Sequence, residues 1–123
     1  MPPGERLGKE LTAAVKRVFA KFGLGYRATT YQGLVRAELE SQQMEYVEDP
    51  KVPLAFAESS ISQARARGFL IEGSAFMTVN ALSDQFQAAD RAILKNYLRG
   101  LNLPWGLAAN FGKRRLEVHA VGI

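Results

Sequence analysis

The segment "GFLIEGSAFMTVNAL", Gly68 to Leu82, limits the possible folds more than any other part of the sequence, because two apolar runs flank a short polar turn. The turn contains Glu72, Gly73 and Ser74, which favour a hairpin connection. Both runs are apolar at successive positions, a pattern typical of strands that are covered on both faces. The rest of the chain must therefore supply elements that cover each side of a sheet.

The N-terminal third of the chain predicts two helices joined by a tight corner. Between Glu5 and Phe22, apolar residues recur at spacings of three and four, which describes one helical face. Gly23 and Gly25 predict the end of this helix, because glycine tolerates the left-handed backbone that often closes helices. We expect the next helix to begin at a threonine cap and to bury an apolar face. The cap is Thr29 or Thr30, and the buried face is Tyr31, Leu34, Val35 and Leu39.

The remaining elements complete a mixed α/β order. Pro50 and Pro53 favour short edge strands, which we predict at Glu45 to Glu48 and Leu54 to Ala57. Helical spacing returns from Ser83 to Gly100, and two more strands follow in "LPWGLAANF" and "LEVHAVGI". We expect Ser83 or Asp84 to cap that helix, with an inward face made of Phe86, Ala89, Ile93, Tyr97 and Leu101. The predicted order is α-α-β-β-β-β-α-β-β around a mixed sheet.

The composition limits the available chemistry. With no cysteine and with His119 as the single histidine, the chain offers no disulfide, no thiol nucleophile and no multi-histidine metal site. No apolar run approaches the roughly 20 residues that cross a bilayer, and the N-terminal sequence lacks the apolar core of a secretory signal. We therefore expect an intracellular protein, cytoplasmic or in an organellar lumen, with residues 1–123 as a single domain. The net charge of +4 permits a phosphate-rich partner without requiring one.

Three strings resemble the GxxExxY protein family of the PD-(D/E)XK nuclease superfamily. In "GYRATTY", Gly25 and Tyr31 match the pattern that names the family, whereas Ala28 stands where the family has glutamate. "KVPLAF" is similar to the family's first strand region, and "NYLRGLNLPWGLAANFG", Asn96 to Gly112, is similar to its closing string. The resemblance covers most of the chain. It implies a restriction-endonuclease-like mixed sheet flanked by helices.

The resemblance also implies which residues would carry the chemistry, and each of them is substituted. The superfamily uses an aspartate and a glutamate on adjacent strands to hold Mg²⁺, with a lysine near the scissile phosphate. The aspartate falls at Gly68, or at Arg67 if the alignment slips by one residue. The glutamate and lysine fall at Thr78 and Asn80. We therefore expect a pseudo-nuclease without catalytic residues, metal site or cofactor.

An active Mg²⁺-dependent DNA or RNA nuclease with migrated ligands is the alternative. Glu72 is the carboxylate of the hairpin, and Glu58 or Glu38 could supply the second acidic group that such a site needs. A glutamate beside glycine in a turn is more commonly a solvated residue. The glutamine that many relatives carry in the following helix falls near Ile93 or Ala92, so that position is substituted as well.

Basic residues form the other candidate site. Arg91, Lys95 and Arg99 recur every four residues along one helical face, and "GKRR" places further cations in the turn before the last strand. Such stripes are usually solvated faces, but together these residues could bind phosphate or a partner protein. RNA or DNA would be held by its backbone, because a basic patch alone reads no base. The candidates are Arg91, Lys95, Arg99, Lys113, Arg114 and Arg115.

Exposed strand edges suggest protein partners. The short strands near Pro50 and the C-terminal "HAVGI" could each add to a partner's sheet. We expect Trp105 to pack in the core and His119 to be a structural residue that points away from the Val118 face. The residues that resemble the family serve packing, and the catalytic ones are lost. The sequence therefore predicts a structural or binding subunit of a larger assembly, with protein partners and with RNA or DNA as a further partner.

Overall fold

The computed structural model describes residues 3–56, 59–82 and 84–123. The helices are α1 (Pro3–Phe22), α2 (Ala28–Ser41) and α3 (Ala88–Leu101). The strands are β1 (Tyr46–Glu48), β2 (Lys51–Phe56), β3 (Ser59–Arg65), β4 (Phe69–Ile71), β5 (Ala75–Asn80), β6 (Trp105–Phe111) and β7 (Leu116–Gly122). None of the helices in these ranges has the length and hydropathy of a membrane span.

Five strands form the main sheet in the order β1-β4-β5-β6-β7, and β2 pairs with β3 in a separate hairpin. β5 and β6 are parallel, with Thr78 opposite Ala108, and the other pairs are antiparallel. The helix α3 makes the crossover that a parallel pair requires. The mixed sheet with its three helices confirms the predicted restriction-endonuclease-like fold class.

α1 and α2 cover one face of the sheet. Their buried residues, among them Leu11, Val15 and Val35, pack against alternate side chains of the central strands such as Met77 and Ala109. Burying one large aliphatic side chain contributes roughly 1.5–3 kcal/mol. The apolar stripes predicted from the sequence therefore hold both helices on this face.

α3 and the β2-β3 hairpin cover the opposite face. Leu94 and Leu98 pack there against Phe76 of the central strand. Gly100 lies so close to the hairpin that a Cβ built on it would come within 2.2 Å of Val52 Cγ1. Glycine at this position therefore permits the close contact between α3 and the hairpin, and the molecule has three layers with the sheet in the middle.

Tyr31 holds the corner between α1 and α2. Its hydroxyl donates a hydrogen bond of 2.8 Å to the Gly23 carbonyl, and its ring stacks on Phe111 with 4.1 Å between centroids. Gly25 has a φ of +119°, a backbone conformation that L side chains rarely adopt. Backbone geometry and packing therefore account for both Gly25 and Tyr31.

The strands differ from the prediction in number and length. β4 and β5 form the predicted hairpin, and Glu72 in its turn is exposed with a φ of +51°. β2 begins at Lys51 and passes through Pro53, earlier than the predicted start at Leu54, while Ala57 lies outside the described residues. The prediction lacked β3, so five strands precede α3 instead of four. Its sequence, "SSISQAR", has no apolar run, because β3 pairs with β2 alone, outside the main sheet.

α2 begins without the predicted threonine cap. Arg27 is the N-cap residue and its side chain makes no capping bond, while Thr29 and Thr30 are exposed in the first turn. The oxygen of Tyr31 also accepts a 3.3 Å hydrogen bond from the Tyr26 N–H. These tyrosine contacts fix where the helix begins, so a side-chain cap is not needed.

α3 begins later than predicted. Gln87 is its N-cap and forms a capping box with Asp90, whose carboxylate accepts a hydrogen bond from the Gln87 N–H. Asp84, a predicted cap, lies before the helix, and Ser83 lies outside the described residues. The segment before α3 is instead bonded to the sheet, for example through the Leu82 N–H. These bonds delay the start of the helix.

The inward face of α3 was also predicted incorrectly in part. Ala89 and Ile93 are exposed, whereas Phe86, Tyr97 and Leu101 are partly buried. A strict spacing of four drifts around the helix, and the buried stripe follows the i, i+3, i+4, i+7 pattern instead. That stripe is Leu94, Tyr97, Leu98 and Leu101.

Candidate functional site

Gly68 precedes β4, and continuing the register of Phe69 with Met77 by one residue places it opposite Thr78. Its φ is +144°, and a Cβ built on it would lie 2.1 Å from the carbonyl oxygen of Met77. Non-bonded Cβ atoms do not approach an oxygen so closely, so neither aspartate nor alanine fits this backbone. The position that the resemblance assigns to the metal-binding aspartate is therefore closed to any side chain.

A carboxylate does lie beside Gly68, but Asp49 supplies it. Asp49 Oδ1 accepts hydrogen bonds from the Gly68 N–H at 2.9 Å and from Gln32 Nε2 at 2.7 Å. The Asp49 N–H in turn donates to the Gly68 carbonyl at 2.9 Å. The carboxylate therefore joins the segment after β1 to α2 and to the start of β4.

The residues around Asp49 line an open cavity of about 480 Å³. Arg36 donates two hydrogen bonds to Glu48, of 2.5 and 2.8 Å, and Gln32 adds a third of 3.0 Å. The bonds from Arg36 hold the pKa of Glu48 below its usual value despite partial burial. Arg67, the other position considered for the aspartate, is exposed at the same cavity. Charge pairing of this kind is typical of structural ion pairs.

Thr78 and Asn80 project to the α3 side of the sheet, because Met77 and Val79 pack on the opposite side. Thr78 is 8% exposed, and its Oγ1 accepts a 3.3 Å hydrogen bond from Asn80 Nδ2. The hydroxyl is neutral and the amide carries no positive charge. The two side chains at the glutamate and lysine positions therefore bond to each other and supply neither charge.

Asn110 and Glu117 continue this polar row across β6 and β7, where the register pairs Asn80 with Asn110 and Asn110 with Glu117. Asn110 is fully buried; it donates to Glu117 Oε2 at 2.8 Å and accepts from the Leu82 N–H at 2.9 Å. Glu117 also accepts from the Phe86 N–H at 3.0 Å. The pair therefore ties the segment before α3 to the sheet.

Burial alone would raise the pKa of Glu117, whose side chain is 9% exposed, but its hydrogen bonds outweigh that effect. The bonds from Phe86, Asn110 and His119 hold the pKa below its usual value. His119 Nε2 lies 3.4 Å from Glu117 Oε1, and its ring stacks on Phe86 with 4.9 Å between centroids. His119 lies opposite the Val118 face, as strand alternation predicts. The ionised Glu117 serves as the centre of a structural network.

The groups at the positions that the resemblance assigns to metal ligands do not fit Mg²⁺, which prefers carboxylate and carbonyl oxygens in octahedral geometry. Glu72 lies in the exposed β4-β5 turn, Glu38 is ion-paired with α1, and Glu58 is outside the described residues. Within the described ranges, no three His, Cys, Asp or Glu side chains come together in a way that could hold a metal ion. Ala92 and Ile93, where the resemblance implies a glutamine, are exposed on α3.

The structure connects Arg91, the first of the candidate basic residues of α3, to the last strand. Arg91 lies over the ring of Phe86 at 5.7 Å, and that ring stacks on His119 of β7. Lys95 and Arg99 follow at steps of one helical turn, the first half-buried and the second exposed. The β6-β7 turn carries three exposed cations that line an open cavity of about 710 Å³, namely Lys113, Arg114 and Arg115.

Sequence reasoning did not single out Asp49, Asn110 or Glu117. Asn110 interrupts the apolar run "WGLAANF", and a buried amide in such a run needs a partner. Glu117 alternates with His119, which places the two side chains on one face. Asp49 gave no signal of this kind, because its role depends on the backbone of Gly68.

Comparison with known protein families agrees with the fold class. No curated protein and no solved structure matches the chain. A family model described as the PD-(D/E)XK nuclease superfamily matches residues 5–121. The match extends over all three helices except the first residues of α1, and over all the strands except the last residue of β7. The chain therefore belongs to the PD-(D/E)XK nuclease superfamily.

Proposed function

We propose that this chain is a catalytically inactive nuclease-fold protein, a degenerate member of the GxxExxY family, that acts as a structural or binding subunit of a larger assembly. A contrast between two sets of residues supports the proposal. Gly25 and Tyr31 form the helix corner and pack in the core. Gly68, Thr78 and Asn80 stand where the chemistry needs charges and carry none. A fold that is maintained without its chemistry is expected of a protein kept for what it binds.

The backbone at Gly68 is the observation that carries the proposal. Simple loss of a carboxylate would leave space where that side chain had been. Here the Met77 carbonyl occupies the direction that a Cβ would take, and Asp49 bonds to the Gly68 N–H. The surroundings are therefore adapted to glycine, and reversal of one substitution would not restore a metal ligand.

Affinity purification of the tagged chain from its native source tests the subunit role. The experiment is done at physiological salt, with and without nuclease treatment, and the recovered proteins are identified by mass spectrometry. We expect a defined, stoichiometric set of proteins that survives nuclease treatment. Recovery of the chain alone, as a monomer, would contradict the subunit role.

An active nuclease with migrated ligands makes a different prediction. It requires cleavage of DNA or RNA that depends on Mg²⁺ and disappears in Glu72→Ala, since Glu72 is the carboxylate of the hairpin. We expect no metal-dependent cleavage from the wild type, so the variant and the wild type should be indistinguishable. Cleavage by the wild type that Glu72→Ala abolishes would favour the nuclease.

Non-catalytic binding of RNA or DNA is a second candidate function. It is favoured by the exposed cations of the β6-β7 turn together with Arg91, which reaches β7 through its contact with Phe86. Binding of this kind would weaken steeply with salt, because it releases counterions from the phosphates. Neutralising Arg91, Lys95 and Arg99 to glutamine should then reduce both the affinity and the salt dependence, and an unchanged affinity would exclude these residues.

A further inference from the structure

β7 lies at one edge of the main sheet and differs from the strand at the other edge. β1 has three residues and is closely followed by Pro50, and both features limit pairing with another chain. β7 has seven residues, pairs with β6 without a register shift, and contains neither lysine nor proline. No strand within the described ranges pairs with its outer side, which we call the β7 edge. This edge is regular enough to accept a further strand.

Two hydrogen bonds at the ends of the β6-β7 pair show which backbone groups face outward. The Gly112 N–H donates to the Arg115 carbonyl, and the Ile123 N–H donates to the Pro104 carbonyl, both at 3.2 Å. Bonded and non-bonded pairs alternate in an antiparallel ladder, so every second residue from Arg115 to Ile123 bonds to β6. The outward N–H and C=O groups therefore belong to Leu116, Val118, Ala120 and Gly122.

A groove of about 420 Å³ lies between α1 and the β7 edge. Leu107 and Ala120 contribute its sheet side, and Gly8, Thr12 and Ala13 contribute its helix side. Ala120 is exposed there. Because side chains alternate along a strand, every second side chain of an added strand would face this groove. Its small lining residues leave room for apolar side chains.

Cations border the β7 edge on both faces of the sheet. On the α1 side, Lys9 and Lys16 are exposed where they line the groove, and Lys9 lies 3.7 Å from Glu5. On the α3 side, Arg91 reaches β7 through the ring stack described above, and Lys95 lies one turn further along. The turn that leads into β7 adds Lys113 and Arg114, and also Arg115, which lies 3.9 Å from Glu117. An acidic segment complements this border, whereas a second copy of the chain would bring like charges together.

We propose that the β7 edge binds an extended, acidic segment of a partner protein, which adds to the sheet as a further strand beside β7. The proposal rests on the subunit role proposed above and names the surface and the chemistry of the partner. The outward backbone groups of Val118 and Ala120 pair with the added strand. Alternate apolar side chains of that strand enter the groove on the α1 side, and the acidic side chains between them face the α3 side, where Arg91 and Lys95 lie.

Ala120→Pro tests the pairing without altering the β6-β7 ladder. Proline lacks an N–H, and the N–H of Ala120 faces outward, so the variant removes a donor from the β7 edge alone. Ala120→Ser keeps the N–H and is the matched control. Val121→Pro removes an N–H that bonds to β6 and shows what a broken ladder does to the unfolding temperature. We expect the unfolding temperature of Ala120→Pro to be close to that of the wild type and the unfolding temperature of Val121→Pro to be well below it.

The probe is a fluorescent peptide of about ten residues that alternates valine and glutamate, titrated by anisotropy. The wild type and Ala120→Ser should bind it saturably, and Ala120→Pro should bind about tenfold more weakly. Replacing Arg91 and Lys95 together by glutamine should also weaken binding, and a peptide that alternates valine and lysine should bind far more weakly. Equal binding by Ala120→Pro, or of the lysine peptide, would overturn the proposal.

Other occupants give distinct results. A wild-type dimer that Ala120→Pro converts to a monomer in sedimentation would assign the edge to a second copy and overturn the proposal. If polyuridine displaces the acidic peptide and binds the wild type and Ala120→Pro with equal affinity, the surface would be assigned to nucleic acid. That result would overturn the proposal. If Ala120→Pro does not fold, hydrogen exchange of the backbone amides in the wild type tests the proposal instead. Exchange at Val118 and Ala120 that slows with the peptide supports the proposal, and unchanged exchange overturns it.

The proposed function and this inference can fail separately. If the wild type and Ala120→Pro purify with the same partners from the native source, the β7 edge is not the docking surface and the subunit role stands. If the wild type purifies alone, the subunit role itself is contradicted, whatever the peptide titration shows.

Discussion

Restoring the aspartate at Gly68 should destabilise the protein and should not restore activity. In Gly68→Asp the new Cβ would lie 2.1 Å from the Met77 carbonyl oxygen, on a backbone with a φ of +144°. A side chain held in such a backbone region costs of the order of 1–3 kcal/mol. Forcing extra atoms into a packed site costs about 1–3 kcal/mol more. The expected loss is therefore about 2–6 kcal/mol, a large part of the roughly 5–15 kcal/mol that stabilises a typical domain.

Thermal unfolding followed by circular dichroism measures this loss. At roughly 4 °C per kcal/mol for a chain of this size, the Tm of Gly68→Asp should fall by about 8–24 °C. Arg67→Asp is the matched control, since it adds the same carboxylate one residue earlier at an exposed position. Its free energy of unfolding should change by no more than about 0.5 kcal/mol.

Two results would contradict this explanation of Gly68. A Tm for Gly68→Asp equal to that of the wild type would show that the backbone at Gly68 has room for a side chain. Mg²⁺-dependent cleavage by the triple variant Gly68→Asp, Thr78→Glu, Asn80→Lys would show that the site is intact apart from three side chains.

Three further predictions concern the packing and the polar network. Tyr31→Phe removes the 2.8 Å hydrogen bond to the Gly23 carbonyl and should lower the free energy of unfolding in urea by about 0.5–1.5 kcal/mol; an unchanged value would mean that ring stacking alone holds the corner. Gly100→Ala should destabilise by about 1–3 kcal/mol, although alanine favours helices, because its Cβ would meet Val52; a more stable variant would contradict the close contact of α3 with the hairpin. Glu117→Gln should flatten the dependence of Tm on pH. The folded-state pKa of Glu117 lies below its ordinary value of about 4.3, so its contribution is complete above that pH and is lost as the pH falls through the folded-state pKa. Parallel pH profiles for the wild type and Glu117→Gln would show that the network does not depend on this charge.

The parts of the fold that the sequence predicts are those in which local pattern and packing agree. The β4-β5 hairpin follows from apolar residues at successive positions, and α1 and α2 follow from their stripes. β3 was not predicted, because among the described strands it pairs only with β2, so its sequence needs no apolar run. The start of α3 was predicted incorrectly because its N-cap is Gln87, and glutamine is not among the favoured N-cap residues. Asp90 completes the capping box.

In the candidate site, too, some features can be predicted from the sequence and others depend on tertiary contacts. The resemblance names Gly68, Thr78 and Asn80 as the positions where charges are missing. The approach of the Met77 carbonyl to Gly68 depends on strand pairing and backbone torsion, and neither follows from the local sequence pattern. The bonds of Glu117 depend likewise on the segment that precedes α3, far away in sequence from β7.

Binding of Mn²⁺, used as a paramagnetic substitute for Mg²⁺, can be followed by electron paramagnetic resonance and tests whether the positions that the resemblance assigns to the nuclease centre hold a metal ion. We expect that they do not, since Gly68, Thr78 and Asn80 provide no carboxylate. The wild type and Glu72→Ala should both leave the signal of free Mn²⁺ unchanged at millimolar metal. Saturable binding of one Mn²⁺ ion per chain, lost in Glu72→Ala, would show that the protein has a metal site at the hairpin and would favour an active nuclease.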